Sequence, residues 1–172
     1  MDFSELSHLA SGHVEARIVQ AAVSLRVFEA LKHDALEATA VAAAIAADPR
    51  ATEALLNALV ALGLLKKQKG SFSLTEIAAL HLLPDAPRFL GDMILFDAAL
   101  WDCWGKLETT VRSGKPARTP DMYQGDPLAT ARFIRAMHAL VQARGDAEIL
   151  EKLLDLSGVR QLLDVGSGPG TY

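Results

Sequence analysis

The residues best placed to do chemistry lie in one short stretch, Leu162-Leu163-Asp164-Val165 followed by Gly166-Ser167-Gly168-Pro169-Gly170. An apolar run of this length between turn residues predicts a short strand. Glycine at alternate positions permits backbone turns that bulkier residues resist and lets the main chain approach a ligand closely. The dinucleotide-binding fingerprint places two residues before its third glycine. Here one residue intervenes, and it is Pro169. The competing reading is an ordinary Gly/Pro turn after a strand. The preceding Leu-Leu-Asp-Val, with its carboxylate at the strand's end, favours a ligand loop.

The other reactive residue types are scattered. His8, His13, His33, His81 and His138 show no zinc-type spacing, and one cysteine cannot supply a thiolate-rich site, so we expect no metal. Cys103 sits between Trp101 and Trp104 with no His or Lys beside it in sequence, which fits an inert thiol rather than a nucleophile. We assign no catalytic residue.

Elements that would position the loop can be read from periodicity. Phe3, Leu6 and Leu9 have helical spacing over 3–9, too short a stretch to hold a helix without something to dock on. A second helix is predicted over 13–31, with Val14, Ile18, Ala21, Ala22, Leu25 and Phe28 as its apolar stripe. An Ala-rich helix follows over 39–47 with Thr39 as its N-cap. Asp48-Pro49 then caps and opens another, burying Ala54, Leu55, Ala58, Leu59 and Leu62 and ending at Gly63. The stretch from Leu65 to Leu74 changes period and predicts a hairpin turning near Lys69-Gly70, and Thr75 restarts a helix. Helices followed by a small hairpin form a winged-helix pattern. One long helix is expected from about Asp85-Ala86-Pro87 to Ser113-Gly114, and a loop over 114–125. Asp126-Pro127 opens a further helix containing Phe133, Ile134, Met137, Leu140 and Val141, broken near Gly145 or running to about Leu156.

Bulk properties narrow the class. Hydrophobic residues make up 51% of the 172, charged residues 22%, and the net charge is -4. An acidic chain offers no global surface for displacing counterions from nucleic acid. No apolar stretch approaches the roughly 20 residues needed to cross a bilayer, so no membrane partner is expected. The N-terminus lacks a basic region followed by an apolar run, and a single cysteine fits a reducing compartment; we expect a cytoplasmic protein.

The order of these segments resembles the N-terminal part of the caffeic-acid and acetylserotonin-type O-methyltransferases. The matching residues are Val14-Glu15-Ala16-Arg17-Ile18-Val19-Gln20-Ala21-Ala22, Val27-Phe28-Glu29-Ala30-Leu31 and Asn57-Ala58-Leu59-Val60-Ala61-Leu62-Gly63-Leu64-Leu65. Trp104-Gly105-Lys106-Leu107 with Arg112-Ser113-Gly114 follows, then Asp126-Pro127 and Phe133-Ile134-Arg135-Ala136-Met137. The alternating glycine loop resembles the first motif of Rossmann-like methyltransferases. By that resemblance, Asp164, Gly166, Gly168 and Gly170 would face S-adenosyl-L-methionine, and Phe133, Met137, Ile94, Leu100 and Trp104 would border the substrate, a small hydroxylated molecule. Plain core packing is the alternative for each of those five.

The resemblance implies a mainly α chain: a winged-helix-like dimerisation domain over 1–84, linking helices bordering a substrate pocket over 85–157, and over 158–172 the first strand of a truncated Rossmann-like domain. It implies a homodimer in which the general base, commonly a histidine, lies outside these 172 residues, so that this stretch alone is expected to be inactive. The second reading is a stand-alone winged-helix interaction or transcription-regulatory dimer. Its recognition helix, 49–62, offers only Arg50 and Asn57 to base edges; Lys66, Lys67 and Lys69 in the hairpin would be its phosphate contacts, against the plainer reading of a solvated hairpin tip.

Overall fold

The structure is a computed structural model, described here for residues 1–118 and 125–171. The chain divides into two compact units, 1–86 and 87–172.

The first unit opens with α1 (Phe3–Ser24). A capping box starts it: Asp2 accepts from the Glu5 amide at 2.8 Å, and the Asp2 amide donates to Glu5 Oε2 at 2.8 Å. The two helices expected over 3–9 and 13–31 are therefore corrected to one continuous helix from Phe3, with Gly12 inside it. Its end is also earlier than expected. Arg26 takes a left-handed φ of 61°, and α2 (Val27–Ala30) restarts beyond it. An ion pair between Arg26 and Glu29 spans the restart, raising the guanidinium's pKa and lowering the carboxyl's.

A two-residue strand, β1 (Leu36–Glu37), leads into α3 (Ala38–Ala44). Its N-cap is Glu37 rather than Thr39, because β1 ends there in extended backbone and the helix starts one residue later. α4 (Pro49–Ala61) is opened by Asp48, whose Oδ1 accepts from the Ala51 amide at 2.8 Å, with Pro49 in the first turn. β2 (Leu65–Gln68) and β3 (Ser71–Leu74) form the hairpin. Lys69 and Gly70 at its tip both take positive φ, 49° and 88°, the combination that matches strand twist in a two-residue turn. The sheet runs β1-β3-β2, all antiparallel, with Phe72 of the central strand opposite Leu36 on one side and Lys67 on the other. Thr75 Oγ1 donates to the carbonyls of Gly63 and Leu64, tying the start of α5 (Glu76–His81) to the residues before β2.

Phe28, Val41, Leu56, Leu59, Leu65 and Phe72 are buried around this sheet. The buried face of α4 is Thr52, Leu56 and Leu59, rotated from the predicted stripe; Ala54 is exposed, and Leu55, Ala58 and Leu62 are only half-buried. A helix packed against a three-stranded sheet buries a narrow row at i, i+4, i+7, and Thr52 occupies the first place in it. The Thr52 hydroxyl is buried with no hydrogen-bond partner among the described residues. A buried polar group left unpaired costs about 1–3 kcal/mol. Thr52→Val is therefore expected to raise stability by about 1 kcal/mol, read as a higher urea midpoint. A lower midpoint would show that the hydroxyl is satisfied.

In the second unit the expected long helix is three: α6 (Gly91–Ala99), α7 (Trp101–Trp104) and α8 (Leu107–Ser113). Asp85-Ala86-Pro87 does not open it; α6 begins at Gly91. Leu100, at ψ −2°, ends α6 and begins α7, and Gly105-Lys106 makes the next break. Gly114, at φ 67°, ends α8 as expected. Of the loop expected over 114–125, residues 119–124 lie outside the described residues.

α9 (Pro127–Arg144) is the longest helix of this unit. Asp126 Oδ1 accepts from the Leu128 amide at 2.9 Å, and Gly145, at φ 72°, caps the far end and separates α9 from α10 (Asp146–Leu153). Ala136 and Ala139 are buried on α9, and α6 and α10 pack against it. The strand expected at Leu162–Val165 is not formed. A strand exists through ladder hydrogen bonds to a neighbour, and among the described residues none pairs with this segment; Leu163 is 84% exposed.

Candidate functional site

The glycine loop has the backbone that its composition predicts. Gly166, Gly168 and Gly170 all take left-handed φ, at 83°, 53° and 64°. The Gly170 amide donates to the Ser167 carbonyl at 2.9 Å, closing a tight turn around Gly168 and Pro169. Asp164 is exposed just before it. The loop reaches α9 at one point we can name: His138 Nδ1 and Thr171 Oγ1 lie 2.8 Å apart.

The five residues expected at the substrate wall fall on three helices and a junction. Ile94 on α6, Leu100 at the α6–α7 junction, and Phe133 and Met137 on α9 are half-buried. Trp104, on α7, is 66% exposed. Phe133 is brought against Phe96 of α6, ring centroids 5.8 Å apart and planes inclined at 58°. That tilted geometry is the favourable one for aromatic pairs.

Beside this pair an open groove of about 320 Å³ runs between α6 and α9, lined by Asp92, Leu95, Phe96, Ala99, Arg132 and Arg135. None of the five expected residues lines it, and sequence reasoning passed over all six that do. A signal was available: Asp92, Phe96 and Ala99 recur at i, i+4, i+7, and Arg132 and Arg135 at i, i+3, each set on one helix face. Chemically the groove combines apolar side chains with two guanidinium groups and one carboxylate. On the same helix, desolvation raises the Asp97 carboxyl above its ordinary range. Among the described residues no three His, Cys, Asp or Glu side chains stand close enough to hold a metal ion.

The wing of the first unit is tied down. Lys67 Nζ donates to Asn57 Oδ1 at 3.0 Å and to Glu53 Oε1 at 3.2 Å, both on α4, and lies 4.7 Å from the centre of the Phe72 ring. The asparagine that would read a base edge and a lysine that would meet a phosphate thus engage each other. This geometry disfavours the DNA-reading alternative.

The family model for the O-methyltransferase dimerisation domain matches residues 7–84. That match falls within the first unit. The chain's likeness to whole O-methyltransferases continues beyond the matched domain. Acetylserotonin O-methyltransferase of Mus musculus is 30% identical over 98% of this chain and 48% of its own length. The 3-hydroxy-5-methyl-1-naphthoate 3-O-methyltransferase of Streptomyces sahachiroi is 31% identical over 96% of this chain and 49% of its own. The crystal structure of human N-acetylserotonin methyltransferase in complex with SAM superposes with a TM-score of 0.76 at 26% identity, covering 91% of this chain and 50% of that one. The chain spans about half the length of the curated relatives that it matches. The first unit, with its winged-helix arrangement, holds the stretch that matches the dimerisation-domain model, and no helix of the described residues is long and apolar enough to cross a membrane.

Proposed function

We propose that this chain is the dimerising and substrate-wall part of an S-adenosylmethionine-dependent O-methyltransferase acting on a small hydroxylated molecule. The observation that carries this reading is the likeness to O-methyltransferases over both units, 98% of the chain in the mouse relative. In this reading residues 1–84 pair two copies, 85–157 border the substrate, and 158–172 begin the cofactor-binding domain. We also place the protein in the cytoplasm, on its single cysteine.

The residues present fit the cofactor. Three glycines at left-handed φ leave the main chain free of Cβ atoms where it would close on a ligand. Asp164 and the backbone of Gly166, Gly168 and Gly170 would hold S-adenosylmethionine, which supplies an electrophilic methyl group to the substrate hydroxyl. Phe133, Met137, Ile94, Leu100 and Trp104 would hold the acceptor's apolar body and exclude water. Among the described residues no general base is assigned and no strand pairs beneath the glycine loop; we infer that these 172 residues alone do not turn over.

Joined to the catalytic part of a related O-methyltransferase, the chain is expected to bind labelled S-adenosylmethionine. Gly168→Val should weaken that binding about tenfold or more, because a β-branched residue at positive φ costs roughly 1–2 kcal/mol and must distort the turn. Equal binding in the variant would remove the loop from the cofactor site.

A further inference from the structure

We infer that His138 is a positioning residue that seats the glycine loop on α9, so that one rigid helix sets the donor loop and the acceptor wall relative to each other. This rests on the reading above, in which the loop holds the methyl donor and Phe133 and Met137 face the acceptor.

The stretch 154–168 is exposed throughout, and the segment leading into the loop makes no ladder. Burial returns only partly, at Pro169 and Thr171. At that return His138 Nδ1 stands 2.8 Å from Thr171 Oγ1, across 33 residues of sequence. The hydroxyl donates to a bare Nδ1 or accepts from Nδ1–H according to the imidazole tautomer, so the contact is satisfiable in either form. The anchor's other end is firm: α9 is capped by Asp126 and Gly145 and buries Ala136 and Ala139. His138 itself is exposed, so core packing does not explain its placement. It directly follows Met137 on the helix. Holding two reactants in register is a large part of what an enzyme supplies to a bimolecular transfer. A loop with three glycines needs an external tie to hold one shape, because glycine loses more conformational freedom on ordering than any other residue.

The test is amide exchange by NMR on this chain. In His138→Ala, exchange at the Gly170 amide, which donates to the Ser167 carbonyl, is expected to quicken about fivefold, the effect of losing one ordinary hydrogen bond, while the α9 amides stay protected and report an intact fold. Thr171→Val should do the same, the double variant no more than either single, and His138→Asn, whose side chain places a polar atom near the Nδ1 position, should restore slow exchange. Unchanged glycine exchange in His138→Ala, or additive effects in the double variant, would overturn the inference. Neither result bears on whether the loop binds S-adenosylmethionine, which the Gly168→Val comparison tests separately.

Discussion

Phe72→Ala is expected to cost about 3–5 kcal/mol of stability, the range for removing a fully buried phenylalanine. Phe72 is 0% exposed at the centre of β3, with Leu36 and Lys67 as its cross-strand neighbours. The sheet is small: two strands have four residues and the third has two. Strands this short have little independent stability, so the ring that the helices pack around contributes more than the ladder does. Its loss also removes the surface beneath the Lys67 ammonium, 4.7 Å away. Urea unfolding should show a lower midpoint. A loss below about 1 kcal/mol would mean that the sheet is not the centre of this core.

The second large effect concerns association. Phe3, Leu6 and Leu9 are expected to lie in a homodimer interface, and replacing all three with serine should weaken dimerisation by two orders of magnitude or more. Residues 3–17 of α1 are exposed throughout, although the helix is capped and continuous. Phe3 is 85% exposed and Leu9 71%. Burying each such side chain contributes about 1.5–3 kcal/mol, and every 1.4 kcal/mol is tenfold in affinity. The occupant we propose is a second copy, because residues 7–84 match the model for the O-methyltransferase dimerisation domain. Light scattering at micromolar concentration should give twice the chain mass for the wild type and the chain mass for the triple variant. A wild-type monomer would sink the proposal.

What was legible in sequence was local chemistry. Asp48-Pro49 and Asp126-Pro127 announce helix starts because a carboxylate cap and a proline act within one turn, whatever the rest of the chain does. Lys69-Gly70 marks the hairpin tip for the same reason. The glycine loop was legible because only glycine takes three left-handed positions in five residues without strain. Features that depend on distant partners were not. Arg26 carries no residue-type signal for a left-handed break, and Leu100 none for a helix junction. The face of α4 was misread because three leucines and two alanines permit more than one stripe, and the sheet chooses among them. Leu162–Val165 reads as a strand by composition, but a strand is a property of a pair. The groove between α6 and α9 was missed because apolar stripes mark packing, and a groove is what packing leaves uncovered.

Gly12 lies within the exposed part of α1, with nothing within 4 Å of the position its Cβ would take. A mid-helix glycine costs about 1 kcal/mol relative to alanine, and no packing in its own unit offsets that. A helical arm of about fifteen residues is at the margin of stability in water by itself. Whatever covers the arm therefore also orders it, and by mass action that makes its order a function of how much protein is present. In the homodimer proposed above, the first seventeen residues are therefore expected to fray when copies are scarce and to be helical once they are plentiful enough to meet.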